Sequence, residues 1–247
     1  MTIEEAMFEF YEGVPIQGPG SESTTNKLLG LIPNLDTVES ALDIGCGTGR
    51  TSLVLAKAGI HITAIDIHQP FLDYLQSAAQ KANLDKNITT QKMSMDSLSL
   101  PEKSFDLIWS EASAYILSFE KALQAWKKLL KPNGYLVVTE LCWTSENPSK
   151  EVSDFWSEEY PGMLTVTKAL RVAVKVGFEV VDTLTLPESD WDNYYKPLKI
   201  HAKELEKDAG PEIKQVIELT LKEIAIRDKY NSEYDYLAFI LRLTGEI

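Results

Sequence analysis

The chain has only two cysteines and three histidines in 247 residues, and its 24 basic residues are outnumbered by 37 acids. Each shortage closes off a class of protein. Cys46 and Cys142 show no paired ligand spacing, so the sequence suggests neither a disulfide framework nor a zinc site, and no metal is expected. His61 reads as a structural residue in mid-strand, His68 closely follows an acid that ends a strand, and His201 falls on a helix; three such imidazoles make no metal set. A formal net charge of −13 repels a phosphate backbone and argues against nucleic acid as a partner. There is no run of eighteen apolar residues to span a bilayer, and the acidic opening MTIEEAMFEFYEG lacks the basic flank and apolar centre of a secretion signal. The expectation is a cytoplasmic protein with no membrane partner. Oligomeric state stays open between monomer and homodimer.

What the chain does have is 44% apolar residues, enough to fill a sizeable core, over a length near the upper end of one α/β domain. Its most informative stretch is SALDIGCGTG, residues 40–49, where a short apolar strand ends in Asp43 and runs into Gly45, Gly47 and Gly49. Glycines at every second position let the backbone turn tightly and approach a ligand where a Cβ would collide with it. Residues 48–58 then read as a helix with apolar Leu53, Val54 and Leu55, which completes the strand, glycine loop and helix of a nucleotide-type cradle. The competing dinucleotide fingerprint, G-x-G-x-x-G, points to an NAD-dependent oxidoreductase. Here the third glycine arrives one residue early, and an acid precedes the first by two.

Along the chain, strands are predicted at 60–67, 87–92, 104–109, 135–140, 178–186 and 234–243, and helices at 69–82, 119–130 and 165–176. Alternation of this kind implies a mainly parallel sheet covered on both faces. Pro132, Asn133 and Gly134 supply a turn before the strand at 135–140. Two segments lie outside the sheet. Residues 1–38 combine a Pro/Gly-rich turn with a helix capped near Ser21 or Ser23, and residues 187–232 form two helical halves split at Gly210 and Pro211. The predicted organisation is one domain over 1–247, with a lid segment at 1–38, a cofactor-binding core at 39–141, and the rest of the sheet at 142–247 carrying a helical cap over about 187–232.

The pattern D-x-G-x-G-x-G resembles motif I of class I S-adenosylmethionine-dependent methyltransferases, and three later segments extend the likeness. IHITAIDI ends in Asp66, where the family places an acid that accepts from both ribose hydroxyls, followed by an apolar residue, Ile67, against the adenine. KMSMDSLSLPEKSFDLIWS resembles the family's M-D-x-L block, with Asp96 placed toward the adenine amino group and Met95 and Ser97 beside it. LLKPNGYLVVTE resembles the turn that leads into strand five. The resemblance covers residues 39–141 and implies a Rossmann-like, doubly wound α/β sheet of seven strands in the order 3-2-1-4-5-7-6. That sheet is mainly parallel with an antiparallel last strand, and helical lid insertions are expected beside it.

It also implies S-adenosylmethionine as cofactor, S-adenosylhomocysteine as product, and a cofactor site made of Asp43, Gly45, Cys46, Gly47, Gly49, Asp66, Ile67, Met95, Asp96, Ser97 and Glu111. Glu111 lies in an E-A-S triplet similar to the strand-four segment of sterol and related small-molecule methyltransferases, which makes it the candidate catalytic acceptor or base at the transfer centre. The D-P-P-Y type of segment, typical of enzymes that methylate DNA amino groups, is missing there. Tyr11, Tyr115, Trp143, Tyr194 and Tyr195, with Trp191, are the candidates to line a pocket for an apolar or cationic small molecule. A cofactor-binding protein without transferase activity remains the other alternative.

Overall fold

The computed structural model describes residues 1–245. The chain begins with helices α1 (Ile3–Glu12) and α2 (Glu22–Leu29), then β1 (Ser40–Ile44), α3 (Arg50–Lys57), β2 (His61–Asp66), α4 (Gln69–Lys81), β3 (Ile88–Lys92) and β4 (Phe105–Glu111). It continues with α5 (Phe119–Trp126), β5 (Leu130–Trp143), α6 (Lys150–Glu159), β6 (Leu164–Thr165), α7 (Val166–Val176), β7 (Phe178–Thr185), α8 (Glu188–Leu205), α9 (Pro211–Tyr230) and β8 (Tyr234–Leu243). The main sheet runs β3-β2-β1-β4-β5-β8-β7. β1 to β5 are parallel, and β8 is antiparallel to both β5 and β7. This is a Rossmann-like α/β sheet with the expected strand order. The main path has the seven expected strands, and the two-residue β6 is an addition off that path, paired with the end of β5.

Alternation along the strands builds two cores. Leu42, Ile44, Ile108, Leu136 and Val138 point to one face, where Phe119, Leu123 and Trp126 of α5 and Ala169 and Ala173 of α7 cover them. Their neighbours Ala41, Leu107, Trp109 and Val137 point to the other face, against Leu28 of α2, Leu55 of α3 and Leu75 of α4. The leucine, isoleucine, valine and phenylalanine side chains among them, fully buried, each contribute about 1.5–3 kcal/mol. A third cluster lies apart from these two. Ala6 and Phe10 of α1, Phe155 and Trp156 of α6, Trp191 and Leu198 of α8, and Val216 and Ile224 of α9 pack together around Leu141 and Tyr234 at the ends of β5 and β8.

Two local findings differ from the sequence reading. KPNG is a bulge inside β5: Leu130 pairs with Phe105 and Tyr135 with Leu107, so residues 131–134 loop out opposite Asp106 alone. Lys131 Nζ then reaches the Asp106 carboxylate at 2.8 Å, and Asp106 also accepts from the Ser40 N–H and hydroxyl. The second difference is α1, which the Pro/Gly-rich description of the lead-in overlooked. Thr2 Oγ1 accepts from the Glu5 N–H at 3.1 Å while Glu5 Oε2 accepts from the Thr2 N–H at 2.7 Å, a reciprocal capping box legible as T-x-x-E.

Arg227 holds the third cluster together. Its guanidinium is 2% exposed, donates to the Tyr234 carbonyl at 2.7 Å and to Glu188 at 2.9 Å, lies 3.2 Å from Asp235, and stacks 4.1 Å from the Trp191 ring. Removing one member of a buried ion pair strands the other charge, so Arg227→Ala should destabilise the protein by about 3–5 kcal/mol in denaturant unfolding. A loss below about 1 kcal/mol would show that this network does not anchor α8 and α9 to the sheet.

Candidate active site

The carboxyl ends of β1, β2 and β4 meet where the strand order reverses, the usual ligand crevice of an open α/β sheet. Here β1 breaks into the glycine loop. Gly45, Gly47 and Gly49 take φ of +67°, +52° and +85°, a left-handed succession that L side chains adopt at a cost. The turn is tied to β2: the N–H groups of Gly45 and Cys46 donate to the Ile65 carbonyl at 2.9 and 3.0 Å, and the Gly47 N–H donates to Asp66 Oδ2 at 2.9 Å. The other Asp66 oxygen accepts from the His68 N–H at 2.9 Å. Burial pushes the Asp66 carboxyl above its usual range, with these two backbone donors opposing.

Around this crevice lies one cavity of about 640 Å³, whose lining comprises two sets of residues that define a first and a second compartment. The first is walled by Gly45, Cys46, Gly47, Asp66, Ile67, Met93, Ser94, Met95 and Phe71. The second is walled by Tyr11 of α1, Tyr115 after β4, Trp156 and Tyr160 around the end of α6, Trp191 and Tyr194 of α8, Thr220 and Glu223 of α9, and Tyr236 of β8. Between them stand Arg50, Glu111, Ala112 and Ser113. Helix α1 roofs both compartments, and the Phe8 ring stacks on His68 at 4.4 Å while Glu12 meets the same imidazole at 2.7 Å. The strap after α1 also closes onto the glycine loop, with the Thr48 N–H donating to Gln17 Oε1 at 3.1 Å and the Thr48 hydroxyl to the Pro15 carbonyl at 2.8 Å.

The candidate residues do not all share this wall. Gly45, Cys46, Gly47, Asp66, Ile67, Met95 and Glu111 line the cavity, as do Tyr11, Tyr115, Trp191 and Tyr194. Asp43 also reaches it, but its carboxylate is buried and takes the Ser52 hydroxyl at 2.6 Å; burial pushes it up to about 7. Gly49 stands back from the cavity, where a Cβ would lie 2.2 Å from a Leu75 methyl, so its place in the motif serves packing against α4. Asp96 and Ser97 are exposed and outside the cavity lining, and Ser94 and Met95 face the space in their place. Trp143 and Tyr195 are a further correction. Trp143 packs edge-on to Tyr234 outside the wall, and Tyr195 stands behind it, donating its hydroxyl to Glu223 at 2.7 Å.

Glu111 differs most from its expected role. Its carboxylate forms an ion pair with Arg50 and also accepts from Trp109 Nε1 at 2.9 Å and the Thr25 hydroxyl at 3.3 Å. A carboxylate held by three donors has much of its acceptor capacity taken up, and it fixes Arg50 at the junction of the compartments. Three charged residues, one base and two acids, carry no signal of their own in the sequence. Arg50 directly follows the glycine motif and Glu140 ends the strand-five segment, whereas Glu223 lies on α9 with no motif around it; for all three, packing between distant segments sets what the side chain meets. Glu140 lies under the floor, buried, bonded to the Tyr160 hydroxyl and pushed by burial up to about 8. Burial likewise pushes Glu223 up to about 7.

The first compartment fits an adenosyl cofactor on three observations. Each Asp66 oxygen takes one backbone N–H, so each keeps acceptor capacity for a hydroxyl. Ile67 is 48% exposed and lines the cavity, where it offers an apolar surface to a flat ring. Arg50 keeps Nε and Nη1 buried without a partner among the described residues, a donor edge that suits a carboxylate.

Residues 42–138 match the family model described as Methyltransferase domain. The chain is 36% identical over 118 residues to an S-adenosyl-L-methionine-dependent Diels-Alderase of Talaromyces variabilis, covering 47% of this chain and 40% of that protein. It is 28% identical over 180 residues to the phosphoethanolamine N-methyltransferase of Plasmodium falciparum, covering 71% of this chain and 66% of that one. The chain thus spans about two fifths to two thirds of these curated relatives. A Geobacter sulfurreducens SAM-dependent methyltransferase, solved with S-adenosyl-L-homocysteine, superposes with a TM-score of 0.81 at 18% identity, over 96% of this chain and 97% of that one. Residues 42–138 thus match a methyltransferase domain, and the likeness to the solved structure shows a shared fold over the whole chain.

Because a carboxylate supplies charged acceptors to two hydroxyls, Asp66→Ala should weaken S-adenosylhomocysteine binding by about 1–3 kcal/mol in calorimetry. Parent-like affinity in a variant that still unfolds cooperatively would remove Asp66 from the ribose site.

Proposed function

We propose that this protein methylates a small-molecule acceptor, which sits in the tyrosine-lined compartment while S-adenosylmethionine occupies the glycine-loop compartment. The observation that carries this reading is the continuity of the cavity: one space of about 640 Å³, a volume suited to small ligands, joins the Asp66 and Ile67 wall to the Tyr11, Tyr115 and Tyr194 wall. When bound, the cofactor supplies a methyl group already activated by its sulfonium charge, for displacement in line by the acceptor. In this reading Asp66 holds the ribose, Ile67 the adenine face, and the free edge of Arg50 the amino-acid carboxylate. Glu111 is a positioning residue that aims Arg50. The protein's task is then mainly alignment, since holding two reactants in line can replace much of what a base would contribute.

Residues 1–38 act as a lid and 187–232 as a cap in this reading, the remainder being a single domain around the sheet. No helix among the described residues is long and apolar enough to cross a membrane, in keeping with a cytoplasmic site of action. The oxidoreductase alternative loses its support from the glycine spacing and the family match together. A second reading has one specific observation behind it. The Diels-Alderase relative is named for a ring-forming reaction, not for methyl transfer, and a cavity without a free base at the compartment junction suits a cyclisation as well.

Mass spectrometry separates the two. Incubation with S-adenosylmethionine and a library of small amines, phenols and polyenes should give a product heavier by one methyl group, with S-adenosylhomocysteine released in equal amount. A product isomeric with its substrate, formed with the cofactor unconsumed, would replace methyl transfer by cyclisation.

A further inference from the structure

Glu223 is the one feature of the second compartment that neither the motifs nor the fold explains. It lies on α9, lines the cavity, and has one carboxylate oxygen fixed by the Tyr195 hydroxyl at 2.7 Å. The other oxygen makes no hydrogen bond or ion pair among the described residues. Its charge acts on Tyr11, Tyr115, Tyr194, Tyr195 and Tyr236, which come from four separate parts of the chain and converge around it. The hydroxyls of Tyr11 and Tyr194 satisfy each other at 2.8 Å, so these two rings offer π surface more than free polar groups.

Charge of the opposite sign is missing from this half. Among the described residues the cavity lining contains no lysine and one arginine, Arg50, which is engaged with Glu111 at the far side. Glu4 and Glu159 stand on the same lining and add to the negative field. A phosphate or carboxylate entering here would be desolvated beside Glu223 with no counter-charge. An ammonium would meet a carboxylate and the negative faces of several aromatic rings.

We propose that the second compartment selects a small organic amine, recognised as its ammonium by Glu223 within the surrounding tyrosines. The proposal rests on the methyltransferase reading only in calling this amine the acceptor. Glu223 also has a place in readying it: the ammonium gives one proton to the Glu223 carboxylate, which leaves a neutral amine with a free lone pair and a neutral carboxyl group. The Tyr195 hydroxyl holds the carboxyl in place in either state.

Trp156 and Trp191 line the cavity, so intrinsic fluorescence reports its occupancy. The protein would be titrated, with and without saturating S-adenosylhomocysteine, with three probes of one shape: 2-phenylethylamine, 2-phenylethanol and 3-phenylpropanoate. The amine should bind at least about tenfold tighter than the alcohol, and the carboxylate weakest of all. Glu223→Gln should erase the preference for the amine while leaving S-adenosylhomocysteine affinity, read by calorimetry, within about twofold. The wild-type comparison stands by itself if that variant does not fold. Equal affinities, no binding of the amine, or an amine preference that survives in Glu223→Gln would overturn the proposal. Failure of S-adenosylhomocysteine to bind would instead overturn the methyltransferase reading, and the probe series without cofactor still decides the role of Glu223.

Discussion

The site depends on one constraint: the chain must leave β1, reverse within five residues and stay pressed against the end of β2. Three backbone donors do this, two to the Ile65 carbonyl and one to the Asp66 carboxylate. Left-handed φ at Gly45, Gly47 and Gly49 is what lets those donors point the same way. The same turn starts α3, and thereby places Arg50 over Glu111 at the end of β4. The glycine loop, Asp66, Arg50 and Glu111 are therefore linked through hydrogen bonds and an ion pair around one turn.

Against this rigid floor stands a roof made from four separate helices. α1, α6, α8 and α9 pack on one another through aromatic side chains and on the sheet through Arg227. The cavity between floor and roof carries carboxylates at depths where their pKa values rise, Asp43 and Glu223 to about 7 with Glu140 just beneath at about 8. All three are shifted chiefly by burial. An acid raised by burial makes its largest contribution to stability while protonated and loses it as pH climbs through the folded value. Tolerance of such groups is usual where a site needs them.

The floor was legible in the sequence because its geometry is local. D-x-G-x-G-x-G and the strand ending in Asp66 prescribe a turn and an acceptor within a few residues of each other, and strand period and helix period locate the sheet. The roof was much less so. Helices α8 and α9 could be read as a split pair from Gly210 and Pro211, but which of their faces meets the cavity depends on packing between distant segments. Tyr194 and Tyr195 illustrate the limit: adjacent in sequence, one faces the cavity and the other backs Glu223. Glu111 shows the converse, since a motif placed it correctly at the end of β4 while Arg50, 61 residues away, decides what its carboxylate can do.

The most direct measurement is a crystal structure with S-adenosylhomocysteine. The account predicts both ribose hydroxyls on the Asp66 carboxylate, the adenine against Ile67, and the amino-acid carboxylate on the free edge of Arg50, with the sulfur facing the tyrosine compartment. A cofactor that bypasses Asp66, or whose sulfur faces away from Tyr11 and Tyr194, would contradict the assignment of the two compartments.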